Sequence, residues 1–218
     1  HCKRYVSGFE WLIYQAAKSY EHFFDIYPDI NEMKKSLEIK DERKNIALIG
    51  PTLSGKTTYG KIISDHYAMK FIDTDETVEK ASGELIKEIF SSAGESGFRR
   101  LEEKALEEAC SLENTVISVG AGALSSEKNR KILKESCYTV LLDIGYDVIL
   151  SRINEEELTK RPMFGINDPE SSWERMFASR KNDYVLCADI IVSVRTNDAE
   201  KESENIIREI DAGKHIYR

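Results

Sequence analysis

The stretch Gly50-Pro51-Thr52-Leu53-Ser54-Gly55-Lys56-Thr57 constrains this chain more than any other. Its spacing is G-x-x-x-x-G-K-[ST]. The apolar run Ile46-Ala47-Leu48-Ile49 enters it, and a helical stretch from Thr58 to Tyr67 leaves it. A short apolar run bounded in this way reads as a buried strand. Strand, loop and helix in that order are the context in which the spacing makes a phosphate-binding P-loop; without them it would be an ordinary glycine-rich turn. Successive backbone N–H groups would face a polyphosphate, with the positive end of a helix behind them. Lys56 would reach the β- and γ-phosphates and the Thr57 hydroxyl would sit on Mg²⁺. The loop points to a nucleoside triphosphate and leaves open what is done with it.

The rest of the chain narrows the setting. Its 218 residues suffice for one α/β domain and an appendage. A net charge of -8 without a basic block argues against nucleic acid as a partner. No apolar run approaches membrane-spanning length. The cysteines at positions 2, 110, 137 and 187 show no C-x-x-C pair and no histidine at metal spacing. They read as reduced, mostly packed thiols of a cytoplasmic protein. A start at His1, with no methionine and no signal-like segment, reads as a piece of something longer.

Downstream of the loop, Met69-Lys70-Phe71-Ile72-Asp73-Thr74-Asp75 reads as a strand ending in two carboxylates. In a parallel sheet, ligands gather at the carboxyl ends of strands. There, one carboxylate could hold Mg²⁺ through water and the other could take a proton from an attacking hydroxyl. Taken alone, the same triplet reads equally well as a strand-end turn with a helix cap. Helical patterns cover Glu76 to Ala81 and Glu84 to Ala93. Gly94-Glu95-Ser96-Gly97-Phe98-Arg99-Arg100-Leu101-Glu102 then opens a helix to about Leu112. Arg99 near a helix start opposes the dipole unless an anionic ligand, or Glu102 three residues on, relieves it. A solvent-facing arginine pair is the plainer alternative. Thr115 to Val119 is another buried strand, running into Gly120-Ala121-Gly122, where glycines let backbone approach a small ligand. Tyr138 to Asp143 is a fourth strand, with a helix from about Tyr146 to Ile153.

In this order, the P-loop, F-x-D-T-D, G-E-x-x-F-R-x-x-E, a glycine-rich strand end and a later R-P resemble the shikimate kinases, of the nucleoside-monophosphate-kinase-like group. The resemblance spans about residues 45 to 210. It implies transfer of a phosphoryl group from ATP to the shikimate 3-hydroxyl, on the route to chorismate and the aromatic amino acids. It implies an ATP site at Gly50, Ser54, Gly55, Lys56, Thr57 and Thr58, with Mg²⁺ on Thr57 and, through water, on Asp73. Asp75 would bind the shikimate hydroxyls and orient or deprotonate the attacked one. Arg99 would fork onto the carboxylate, braced by Glu102, and the backbone from Gly120 through Ala121 to Gly122 would line the acceptor. A planar, bidentate guanidinium suits a carboxylate. Leu53 stands where the family usually has a second P-loop glycine, and Ala121 replaces the middle of a G-G-G. Both keep their N–H groups, and Ala121 would be a problem only at positive φ.

Asn154 to about Ile166 resembles the family's lid, with Arg161 swinging over the phosphates beside Lys56. A surface loop is the plainer reading. The segment before Arg161 is two residues longer than in comparable forms, which makes Arg152 the candidate for stacking on adenine. A helix from Pro169 to Asn182 carries Trp173, Met176 and Phe177 at core spacing. The family's R-x-x-x-Y-x-x-x-A, seen here as Arg180, Tyr184 and Ala188, implies a second carboxylate-binding arginine at Arg180. Ala188 to Val194 is the fifth strand. Asn197-Asp198-Ala199-Glu200 reads as a capping box for a final helix to about Ile210, with a loose tail beyond.

Residues 1–42 form a separate helical segment and linker ahead of the 43–218 domain. Its motif Gly8-x-x-Trp11-Leu12-Ile13-x-Gln15-Ala16, then Ser19-Tyr20-Glu21 and Pro28, is similar to the C-terminal end of shikimate dehydrogenases. There Gln15 matches a shikimate-touching glutamine, while Trp11 replaces the common methionine. The likeness implies that the chain comes from a dehydrogenase–kinase fusion. No G-x-G-x-x-G follows a strand here, so this chain alone is not expected to be a dehydrogenase. The face bearing Phe9, Leu12, Ile13, Phe23 and Phe24 is expected to pack on the following domain or on a second copy.

The whole is expected to be a three-layer α/β/α P-loop fold with a five-stranded parallel sheet and an N-terminal helical appendage. Two other readings stand beside it. One is a gluconate kinase-like enzyme of the same fold; the other is a non-catalytic P-loop sensor or scaffold. Two arginines suited to a carboxylate argue against the first. Lys56, Thr57, Asp73, Asp75 and Arg161 together argue against the second.

Overall fold

The computed structural model describes residues 8–30, 33, 43–153 and 169–216, and divides the chain into two compact units. The larger, Arg43–Asp211, carries one sheet of five parallel strands in the order β2-β3-β1-β4-β5. The strands are β1 (Asn45–Ile49), β2 (Lys70–Asp73), β3 (Thr115–Ser118), β4 (Cys137–Ile144) and β5 (Ile190–Val194). Between them run α2 (Lys56–His66), α3 (Thr74–Ser82), α4 (Ile86–Cys110), α5 (Glu127–Ser136), α6 (Tyr146–Arg152) and α7 (Pro169–Cys187). The last helix, α8 (Ala199–Ile216), follows β5. The five strands and the three-layer parallel architecture are those expected from the apolar runs.

Strands β1 and β3 are buried along their whole length, as a sheet covered on both faces requires. One face is packed by Leu48, Tyr59, Ile63, Val140, Trp173 and Ile206, the other by Ala47, Leu106, Ile117, Leu133 and Tyr184. Register sets the site. Leu48 pairs with Ser118, and Ser118 pairs with Asp73, so the carboxyl ends of β1, β3 and β2 are level. Gly50, Gly120 and Asp75 each lie two residues beyond that line. Strand order reverses beside β1, which places the P-loop at the switch point where such sheets bind ligands.

Several boundaries differ from expectation. Strand β2 stops at Asp73, and Asp75 lies in the first turn of α3, because the Asp73 carboxylate caps that helix by accepting from Asp75 N (3.0 Å) and Glu76 N (3.4 Å). Helix α5 was not anticipated; Ser126 caps it by accepting from Asn129 N, and Asn129 and Leu133 anchor its buried stripe. Helix α7 runs past Asn182 to Cys187, since Tyr184 and Cys187 continue its buried face beyond the polar pair. Helix α8 extends beyond Ile210 to Ile216. Its cap is Asp198, accepting from Lys201 N, and no capping box forms with Glu200. Glu202 instead reaches back to Arg195 N and Thr196 N.

In the other unit, α1 (Gly8–Phe24) ends at Asp25, whose φ of 54° turns the chain out of the helix before Pro28. Its buried stripe is Ile13 and Ala17, four residues apart. Leu12, Phe23 and Phe24 are 59%, 79% and 61% exposed in the single chain, which leaves their expected packing, on the following domain or on a second copy, as an expectation. Leu12 and Phe23 lie a quarter-turn off the Ile13 stripe, and Phe24 ends the helix. The side chain of Phe9 and most of the second short helix lie outside the described residues. No helix among the described residues is long and apolar enough to cross a membrane.

Candidate active site

Side chains hold four carbonyls of the P-loop. Lys56 Nζ donates to the carbonyls of Gly50 and Pro51, both at 2.9 Å. Trp173 Nε1 donates to Thr52 O (3.3 Å) and Arg152 Nη1 to Leu53 O (2.7 Å). Successive amides of such a loop are the groups an anion meets. Gly55 stands at the N-terminus of α2 in the left-handed region (φ 92°), and Ser54 is buried. Thr58 is exposed on the first turn of the helix. Leu53 has a φ of 67°, so the family's missing glycine leaves a strained residue rather than a neutral replacement. Ala121 does not have positive φ.

Next to the loop, the Thr57 hydroxyl donates to Asp73 Oδ2 at 2.6 Å. Asp73 uses its other oxygen as the α3 cap, the helix-cap alternative read in the triplet. The pair presents hard oxygen donors of the kind Mg²⁺ takes. Among the described residues no three histidine, cysteine, aspartate or glutamate side chains converge on one point. An ion here would therefore draw its other ligands from water and phosphate.

Opposite lies a polar wall. Gly120 N donates to the buried Thr74 hydroxyl (2.9 Å), which reaches Ser118 O (3.3 Å) and staples α3 to the end of β3. A Cβ on Gly120 would stand 2.7 Å from both Asp75 Oδ1 and Glu102 Oε1, so glycine is required for these carboxylates to meet the strand end. The Arg99 guanidinium lies over Gly122 in the same way. Arg99 Nη1 donates to Glu102 Oε2 at 2.7 Å, with Glu95 at 3.2 Å on its other nitrogen. From α7, Tyr184 Oη donates to Ala121 O (2.6 Å) and Arg180 Nη1 reaches the same carbonyl at 3.5 Å. Asp75, Arg99, Glu102, Gly120, Ala121, Gly122 and Arg180 are thus gathered at the sheet's carboxyl edge. Arg161 lies outside the described residues.

Charge in this wall is poised. Burial pulls the Arg99 guanidinium down, but Glu102 and Glu95 outweigh it and hold it above its ordinary value. Burial pushes the Glu102 carboxyl up, against the pull of Arg99 and then Arg180. The ion pair by itself would depress Glu102; desolvation prevails because this side chain is only 2% exposed. Burial also pushes the Tyr184 phenol up to about 12.

Three contributors escaped the sequence reading: Thr74, Trp173 on the P-loop, and Tyr59, whose hydroxyl accepts from Arg152 Nη2 (2.9 Å). Thr74 carried a signal in its place between two carboxylates. The other two had none, because their partners lie far away in the chain.

A parallel sheet with a P-loop at its switch point and a basic acceptor wall defines a small-molecule kinase of the nucleoside-monophosphate-kinase-like group. Comparison with known proteins is specific. The family model described as Shikimate kinase matches residues 53–211, and the chain belongs to that family. A shikimate kinase of Sulfurihydrogenibium sp. is 35% identical over 167 residues, covering 77% of this chain and 95% of its own. That of Caldanaerobacter subterraneus subsp. tengcongensis is 36% identical over 165 residues, covering 76% and 95%. Among solved structures, the shikimate kinase from Acinetobacter baumannii in complex with shikimate superposes with a TM-score of 0.74 at 29% identity, covering 83% of this chain and 98% of that one. The enzyme from Aquifex aeolicus gives 0.62 at 31% identity, covering 77% and 96%.

Proposed function

We propose that this chain transfers the γ-phosphoryl group of ATP to the 3-hydroxyl of shikimate, giving ADP and shikimate 3-phosphate. The observation that carries the reading is the wall itself: Arg99 lies over Gly122 and pairs with Glu102, Arg180 reaches Ala121 O, and Asp75 lies against Gly120, all on one strand end. A guanidinium pair suits the carboxylate of an acid substrate, and a neighbouring aspartate suits its hydroxyl face.

In this reading, Arg99 and Arg180 seat the carboxylate, and Glu102 keeps Arg99 aimed. Asp75 accepts a hydrogen bond from the attacked hydroxyl and takes its proton as the oxygen bonds to the γ-phosphorus. The bond from that phosphorus to the β–γ bridging oxygen breaks and leaves with ADP. Lys56 and the P-loop amides hold the phosphates, and Arg161 adds charge as the transition state develops. Thr57 and Asp73 would hold Mg²⁺, which neutralises phosphate charge when bound. Most of the rate comes from positioning and fixed electrostatics, since phosphoryl transfer asks for little covalent help.

The test is shikimate-dependent ADP release with Mg-ATP. Asp75→Asn is expected to abolish it, and Arg99→Ala to raise the KM for shikimate by a factor on the order of ten to a hundred, the loss of a charge-assisted pair. No release by the wild-type chain would end the reading.

The likeness of residues 1–37 to a shikimate dehydrogenase terminus supports a finer proposal, that the parent protein carries a dehydrogenase ahead of this kinase. Sequencing the parent gene decides it: a stop codon or an unrelated domain upstream would exclude the fusion.

A further inference from the structure

The P-loop of this chain bends through a turn that its sequence opposes. Ser54 N donates back to Pro51 O (3.2 Å), closing a turn over Pro51, Thr52, Leu53 and Ser54. Leu53, the third residue of the turn, has a φ of 67°, while Thr52 before it does not have positive φ. That pattern is type II, whose third position ordinarily takes glycine or asparagine. The same four residues could form type I, in which both central φ angles are negative and leucine fits without strain. The two types differ by rotation of the single peptide between the central residues, here Thr52–Leu53. The Leu53 side chain packs against the core, while its backbone is kept in a region that leucine disfavours.

The group that holds this peptide is Trp173. Its Nε1 donates from α7 to Thr52 O at 3.3 Å. A trans peptide is planar, with its carbonyl and its N–H pointing opposite ways. Thr52 O faces the indole, so the Leu53 N–H points away from it. Rotation to type I would break the bond to Trp173 and turn the Leu53 N–H back towards α7. The indole is itself fixed. It is 4% exposed and stacks on Phe177, with ring centroids 5.1 Å apart and planes 13° from parallel. Rotation of the peptide would also leave a buried indole N–H without its acceptor, which is unfavourable.

We infer that Trp173 is a positioning residue for the nucleotide: it keeps the Thr52–Leu53 peptide in the strained orientation that leaves the Leu53 N–H to meet phosphate. The inference rests on the P-loop being the ATP site proposed above. Trp173→Phe removes the indole donor and keeps an aromatic ring beside Phe177. Without the donor, part of the population turns to type I, and the apparent affinity falls by the fraction lost. In the full chain this change is expected to weaken binding of a fluorescent ADP analogue about fivefold, the loss of one hydrogen bond. The KM for shikimate is expected to stay within about twofold of wild type, because α7 and Arg180 stay in place.

Two backgrounds separate this role from packing. Leu53→Ala and Leu53→Gly both lose the leucine's apolar contacts, but only glycine removes the positive-φ penalty. Any packing lost with the indole is common to both backgrounds. Trp173→Phe is expected to cost about fivefold in the alanine background and less than about twofold in the glycine background, where the turn keeps its shape unaided. Equal losses in both backgrounds, unchanged affinity in the single variant, or a KM for shikimate that rises as far as the nucleotide Kd would overturn the inference. A wild-type chain that binds the nucleotide without releasing ADP in the presence of shikimate would end the kinase reading and leave this one standing. Failure to bind the nucleotide at all would overturn both.

Discussion

At the scale of single residues, Glu102 does two things that pull against each other with pH. Its folded carboxyl titrates above the ordinary value because burial outweighs Arg99. The protonated form is therefore favoured in the folded state; this contribution to stability is present below the unfolded pKa and is lost as pH rises through the folded one. In the proposed reading, shikimate binding needs the opposite form, since only the carboxylate braces Arg99. Acidification is thus expected to raise the KM for shikimate while Glu102's own share of the unfolding free energy grows. Glu102→Gln should give a raised KM that no longer changes with pH over the range where shikimate itself stays ionised. Steady-state kinetics and denaturant midpoints across a pH series check both signs. Tyr184 behaves similarly at the alkaline end: its phenol, pushed up to about 12, keeps its hydrogen bond to Ala121 until pH rises through that value, and its share of stability begins to fall above the unfolded value near 10.

At the scale of elements, the decisive join is in α4. Gly94, at φ 67° and ψ −178°, splits this helix into two and starts afresh the segment that carries Arg99 and Glu102. That backbone region is essentially closed to residues with a Cβ. Nothing lies within 4 Å of where a Cβ at Gly94 would stand, so the cost of Gly94→Ala is conformational rather than steric. It is expected to destabilise the chain by about 1–3 kcal/mol, read as a lower denaturant midpoint at unchanged slope. The alternative, a straightened helix, would swing Arg99 off the end of β3, and the KM for shikimate would rise with it. Gly94 was legible as a helix boundary in the sequence. Its role as the kink between two helical patterns was not, because periodicity on either side looks the same whether the segments merge or separate.

At the scale of the whole molecule, the site is assembled from the carboxyl edges of β1, β2 and β3 together with α7, so ligands that bridge them should tie the domain together. An ATP analogue or shikimate at a hundred times its Kd is expected to add about 2.7 kcal/mol, raising Tm by roughly 5–10 °C in a domain of this size. A thermal melt of the full chain with each ligand measures it; an unchanged Tm with shikimate would contradict the acceptor wall.

The sequence by itself determined what is local. The P-loop, the Asp73–Asp75 pair, the Arg99–Glu102 step and the glycines after β3 are each contained in a few consecutive residues, where spacing alone dictates which groups share a turn or a helix face. So too was the parallel sheet, because a strand covered on both faces must be apolar throughout. Tertiary structure decided everything that depends on distant partners. Trp173 meets Thr52, Tyr184 meets Ala121, and Arg152 joins Leu53 to Tyr59 only once the strands are in register. The Leu53 substitution shows the difference most plainly. In the sequence it reads as a glycine replaced without loss of an N–H group. In the fold it is a strained turn, because φ is set by the contacts that close the loop and not by the residue that occupies it.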